Sequence, residues 1–315
     1  MTANLTKTKI LIDTDPGDDI DDAFALLLAA KSPELDVVGI TTVFRNTAAR
    51  ARMTRCLLRS TDREDIPIRA GIDTPFIQTI KDVMPPELLA KETLDHSGKY
   101  RLPQYDDSMD NEPVDKENAV DFIIRMAHEY AGELILVLIG PFTNAAMAVR
   151  KDPSIVSCIK EVRVIGGYYW KDITEWNVAC DPEAAHIVFT AGWPVYAVSI
   201  DVTMQCALSN EDVAEFRSLQ GEAQSLVAGM MNKWFSYYQF SAPVMHDPLV
   251  IGTILCEEFV YFSQLNVRVG LAGSERGKTI LEPEATDKTS QIFVSRTVDA
   301  PAFLKLFKER VFGKQ

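Results

Sequence analysis

The chain predicts an α/β fold with a mostly parallel central sheet flanked by helices, and three observations carry that expectation. Short runs rich in Val, Ile and Leu alternate with longer stretches of helix-forming residues, the order expected of βαβ units. Pro and Gly punctuate the helical stretches at their ends. The 315 residues are 47% hydrophobic and 24% charged, enough for a well-buried core, and show no internal repeat, low-complexity tract or linker. One domain spanning residues 1–315 is the simplest organisation.

Residues 9–12 form a short apolar strand, and residues 13–22 a polar loop after it. A helix over 23–30 follows, because Ala and Leu are strong helix formers. A second strand covers 37–43 and a helix 48–59, with Arg50, Arg52, Arg55 and Arg59 read as a solvated, ion-paired face. A third strand covers 66–70. Residues 72–118 are rich in Pro, Asp and Lys with weak periodicity, and read as a long loop region or lid. The alternation resumes with a helix at 120–130, a strand at 134–139, a helix at 144–150, a strand at 162–165, a helix at 182–191 and a strand at 195–200. Residues 211–240 are mostly helical, 267–294 alternate as antiparallel strands, and a helix at 300–307 closes the chain.

Forty-five acidic residues against 32 basic ones leave a net charge of −13, a surface that repels phosphate backbones and argues against a nucleic-acid binder. The longest apolar runs, such as 134–142, fall far short of the roughly 20 residues a membrane helix needs. Five dispersed cysteines with no C-x-x-C spacing read as reduced thiols. With no apolar segment near Met1, a cytoplasmic protein acting on a small molecule is expected.

The segment from Asp13 to Asp22 holds six aspartates in ten residues, between a strand and a helix. That position is the carboxyl edge of the sheet, where open α/β folds bind ligands. One Asp suffices as a helix cap. Six repel one another unless a cation neutralises them, and all-oxygen ligands favour Ca²⁺ or Mg²⁺ over zinc. An EF-hand loop fits poorly, because Asp18 stands where that loop needs glycine. Asp13-Thr14-Asp15 also matches the opening of Asp-dependent Mg²⁺ phosphohydrolases, with Asp13 as nucleophile.

Three later segments bear on the choice: Gly140-Pro141-Phe142-Thr143-Asn144; Gly166-Gly167 with Glu175-Trp176-Asn177 and Asp181-Pro182-Glu183-Ala184-Ala185; and His246-Asp247-Pro248-Leu249. Together with Asp15-Pro16-Gly17 and Asp21-Asp22-Ala23, and in this order, they resemble the inosine-uridine-preferring nucleoside hydrolase family along nearly the whole chain. The resemblance implies an open, Rossmann-like sheet, one Ca²⁺ per site, a homodimer or homotetramer, and hydrolysis of ribonucleosides to ribose and free base. It implies Asp15 as metal ligand and as the base that takes a proton from the attacking water. Asp22, Asp247 and the main-chain carbonyl of Ile139 match further ligand positions. Asp21, Asn46, Glu175 and Asn177 match positions on the ribose. His246 matches the histidine beside the leaving base, and His96 loosely matches another near the base. The implied chemistry passes through an oxocarbenium-like sugar, with a metal-held water and a general base. A non-catalytic nucleoside-binding homologue is the alternative from a different class.

Three departures from the family pattern stand out. The Asp loop is two residues longer than the commonest form, so Asp18 or Asp19 competes for the cation. Phe44-Arg45 replaces smaller residues before Asn46, placing a bulky charge beside the expected ribose site. The stretch between Gly166 and Glu175 is short. Trp234, Phe235, Tyr237 and Tyr238 are candidates for stacking on the base.

Overall fold

A computed structural model describes residues 7–240, 242–282 and 291–313. Its strands are β1 (Thr8–Thr14), β2 (Leu35–Thr42), β3 (Ile68–Ala70), β4 (Ile135–Leu138), β5 (Glu161–Ile165), β6 (Val195–Val198), β7 (Val260–Gln264), β8 (Val267–Val269), β9 (Thr279–Leu281) and β10 (Ile292–Val298). Eight form one sheet in the order β3-β2-β1-β4-β5-β6-β10-β7. Every pairing in it is parallel except that of β10 with the edge strand β7. Of the tail expected to be antiparallel over 267–294, residues 283–290 lie outside the described residues, and the rest is partly antiparallel. β8 and β9 form their own antiparallel pair, while β10 enters the main sheet parallel to β6.

Strand alternation sorts the core onto two faces. Ile10, Ile12, Ile135 and Val137 face helices α1 (Asp21–Ala30) and α2 (Thr47–Arg59) and the C-terminal helices. Leu11, Leu136, Leu138, Val162 and Val164 face the helices at Ala119–Glu129, Thr143–Lys151 and Pro182–Thr190. Both faces are covered, which is why these strands read as continuous apolar runs. The expected helix over 211–240 is two helices, Asn210–Ser218 and Glu222–Tyr238. A helix that periodicity did not predict, His246–Leu255, packs against α1. Among the described residues no helix is long and apolar enough to cross a membrane.

The strand order reverses at β1 and β4. Successive connections leave those two strands toward opposite sides of the sheet and open a crevice beyond their carboxyl ends. The segments after β1, after β4 and after β5 all meet there. The irregular segment supplies a wall: Leu102 packs against Gly17, and Tyr100 and Gln104 hydrogen-bond to the Asp loop. It contains only short helical turns at Ile80–Val83, Pro86–Leu89 and Asp107–Asn111.

Candidate active site

A cavity of about 270 Å³ opens at this crevice. Asp15, Asp18 and Asp19 reach it from the loop after β1, Asp21 and Asp22 from the first turn of α1, Ile139 from the end of β4, Glu175 and Asn177 from the Trp176–Cys180 helix and its cap, and His246 and Asp247 from the start of the His246–Leu255 helix. Tyr168, Trp176, Ile165, Ile200, Thr174 and Met204 complete the lining. The wall carries seven carboxylates and neither lysine nor arginine.

The loop's shape follows from its residues. Asp13 and Thr14 still belong to β1. Gly17 then turns with φ 118°, a conformation side chains rarely adopt. The Asp22 carboxylate folds back and accepts from Thr14 Oγ1 at 2.5 Å and from the Asp15 N–H at 3.1 Å. Asp21 accepts from the Asp247 N–H at 3.2 Å, which ties the loop to the distant helix. One oxygen each from Asp21, Asp22 and Asp247 lies within 4.8 Å of the others, a spacing suited to a single cation. Gly140 is required here, because a Cβ on it would stand 2.8 Å from Asp15 Oδ1.

Burial and mutual repulsion perturb these groups strongly. Asp15, Asp21 and Asp247 are held well above the usual carboxylate range, first by burial and then by neighbouring aspartates, Asp22 among them in each case. Asp22 is pushed up to about 7 by burial, opposed by Thr14 and Arg50. Such a cluster stays uncharged, or ionises around a cation. The oxygen-only donor set and its burial fit a hard divalent ion. Glu175, pushed up to about 7 by burial, caps its helix by accepting from the N–H groups of Asn177 (2.8 Å) and Val178 (3.0 Å). Burial lowers His246 to about 4, so its ring is neutral, and its Nδ1 lies 2.6 Å from Thr203 Oγ1.

Asp15, Asp21, Asp22, Ile139, Glu175, Asn177, His246 and Asp247 are thus brought to one cavity. Asn46 and His96 are not. Asn46 is spent on structure: its Oδ1 caps α2, and its amide donates to Asp95 at 2.8 Å and the Tyr100 carbonyl at 2.9 Å. His96 lies outside the cavity with a 74% exposed side chain, 3.8 Å from Asp110. Arg45 turns away onto the Tyr100 ring and Glu92, its backbone and that of Phe44 both left-handed. None of Trp234, Phe235, Tyr237 and Tyr238 lines the cavity; the aromatic walls are Tyr168 and Trp176. Asp13 is fully buried, bound by Thr41 and Asn144 at 2.6 and 2.8 Å, and does not reach the cavity as a nucleophile must. Arg50, expected on a solvated face, is fully buried beneath the Asp loop. Thr203 and Arg50 were missed: the first is an isolated hydroxyl in the sequence, and the second sits among three other arginines.

A doubly wound sheet with a buried carboxylate cluster and a histidine on one cavity carries the groups for metal-assisted hydrolysis of a small substrate. The chain belongs to the inosine-uridine preferring nucleoside hydrolase family, whose pattern matches residues 10–305. It is accordingly an N-glycosyl hydrolase of ribonucleosides. It is 32% identical to the probable uridine nucleosidase 2 of Arabidopsis thaliana, over 97% of this chain and 98% of that protein. It is 29% identical to the pyrimidine-specific ribonucleoside hydrolase RihB of Shigella flexneri, over 98% of each. Among solved structures, the plant nucleoside hydrolase PpNRh1 superposes with a TM-score of 0.79 at 28% identity, covering 97% of this chain and 99% of that one. The purine-preferring ribonucleoside hydrolase from Gardnerella vaginalis gives 0.80 at 26%, covering 97% and 98%.

Proposed function

We propose that this chain hydrolyses ribonucleosides in a Ca²⁺-dependent reaction, with Asp15, Asp22, Asp247 and the Ile139 carbonyl as the cation's ligands. The observation that carries this is the buried carboxylate cluster, with His246 on the same cavity. A bound Ca²⁺ supplies the positive charge that lets these carboxylates ionise together, orients a sugar diol and acidifies a water. The three carboxylates whose oxygens lie within 4.8 Å of one another are Asp21, Asp22 and Asp247, so Asp21 either joins the cation or meets the ribose beside it.

The chain's own residues then divide the work. Asp15 accepts the proton of the attacking water; burial makes its carboxylate the stronger base. Asn177 and Glu175 hold ribose hydroxyls, with Glu175 fixed in place by the two N–H groups it caps. The ring of carboxylates favours the positive charge that develops on the sugar as the C–N bond breaks. Tyr168 and Trp176 offer faces for the base. His246, anchored through Nδ1, has no Nε2 partner among the described residues and can turn that nitrogen to the departing base. The neutral nucleoside suits a wall without lysine or arginine. The same reading treats the chain as one domain, cytoplasmic and homo-oligomeric, in keeping with its five free thiols.

The test is release of free ribose from a panel of purine and pyrimidine nucleosides, with Ca²⁺ and with chelator. Calcium-dependent release from at least one nucleoside is expected. No release with Ca²⁺ demonstrably bound would turn the reading toward a nucleoside-binding homologue. Phosphate release from a phosphomonoester, without ribose, would restore the phosphohydrolase.

A further inference from the structure

Five aspartates of the loop after β1 and the first turn of α1 line the cavity, yet the reading above uses two or three of them on the cation. Asp18, inside the two-residue extension, is the obvious competitor. Its surroundings say why it does not compete. Arg50, on α2, is wholly buried and spends its whole fork on this loop and its neighbour. Nε donates to the Phe44 carbonyl at 2.8 Å, and Nη1 to the carbonyls of Pro16 (2.8 Å) and Asp15. Nη2 donates to Asp18 Oδ2 at 2.7 Å. The Tyr100 hydroxyl takes the other Asp18 oxygen at 2.6 Å, and Gln104 holds the Asp18 and Asp19 carbonyls at 2.9 and 2.6 Å. Both Asp18 oxygens are thereby engaged by protein donors.

We propose that Arg50 and Asp18 form a matched positioning pair: Arg50 withholds Asp18 from the cation and pins the Asp15 and Pro16 carbonyls so that the Asp15 carboxylate faces the substrate. The inference rests on the Ca²⁺ reading of the cavity. A guanidinium suits the task because only a planar fork reaches three carbonyls and a carboxylate at once. Stripped of Arg50, a partly buried Asp18 carboxylate stays behind without its countercharge, and the loop loses its clamp.

The experiment measures Ca²⁺ affinity by calorimetry and ribose release for Asp18→Asn, Arg50→Met, the double variant and Asp22→Asn. Asp18→Asn should change Ca²⁺ affinity by less than about threefold, whereas loss of a true carboxylate ligand costs about tenfold or more. Arg50→Met should lower kcat/KM about a hundredfold, and adding Asp18→Asn should recover about tenfold of that, since the two residues are coupled. A tenfold loss of affinity in Asp18→Asn, alongside the same loss in Asp22→Asn, overturns the pair and leaves the ligand set standing. Unchanged affinity in Asp22→Asn overturns the ligand set itself. A double variant no better than Arg50→Met also overturns the coupling. If Arg50→Met does not fold, the Asp18→Asn affinity decides alone.

Discussion

Asp22→Asn should make the cation-free protein more stable while abolishing its hydrolysis. Asp22 is 4% exposed, and burial moves its carboxyl from an ordinary value of 3.8 to about 7. A displacement of about three pH units, at 1.36 kcal/mol each, is about 4 kcal/mol. The sign follows from the direction. The folded state binds this proton more tightly than the unfolded chain, so the group opposes folding above pH 4, increasingly until about pH 7. Below pH 4 both states are protonated and the difference vanishes. An asparagine keeps an acceptor for Thr14 and the Asp15 N–H, so the local hydrogen bonds survive. The assay is denaturant unfolding of both proteins in chelator from pH 4 to pH 8, repeated with Ca²⁺. The variant should gain up to about 4 kcal/mol at pH 8 and nothing at pH 4. Added Ca²⁺ should stabilise the parent protein, increasingly as pH rises, and the variant much less. Equal stabilities at pH 8 in chelator, or a gain independent of pH, would refute the burial argument.

Two further outcomes are expected. Asp15→Ala should reduce ribose release by about a thousandfold or more, as loss of a base and a ligand together does; near-parental rates would remove Asp15 from both roles. His246→Ala should slow nucleosides whose leaving base needs a hydrogen bond about a hundredfold, and a nitrophenyl riboside far less. Equal losses on both substrates would show that His246 does not act on the leaving group.

The sequence located the site more fully than it described the site's supports. The Asp loop was legible because six carboxylates in ten residues exceed what a helix cap needs, whereas Glu175, Asn177 and His246-Asp247 were legible only through the family motifs they stand in. Asn46, expected on the ribose, stands outside the cavity lining and caps α2, its Oδ1 accepting from the Ala49 N–H. Arg50 was illegible for a physical reason: three of its four acceptor groups are backbone carbonyls, which leave no trace in residue identity. The helix at His246–Leu255 escaped periodicity because it is buried all round, with Asp247 through Thr253 each inside. β10 joined the sheet beside β6 rather than continuing a meander, a choice made by tertiary pairing alone.

Asp21 and the Asp247 N–H that it binds are 226 residues apart in the chain. A cation site spread across that separation cannot assemble locally during synthesis. The loop after β1 emerges early as a set of mutually repelling acids, and its partner arrives only after most of the sheet has been made. On the calcium reading proposed above, the ion would have little to grip in a nascent or C-terminally shortened chain. Its binding would follow long-range closure and reward it, rather than seed it. Premature termination before the His246–Leu255 helix would then leave a fragment that added calcium does not rescue.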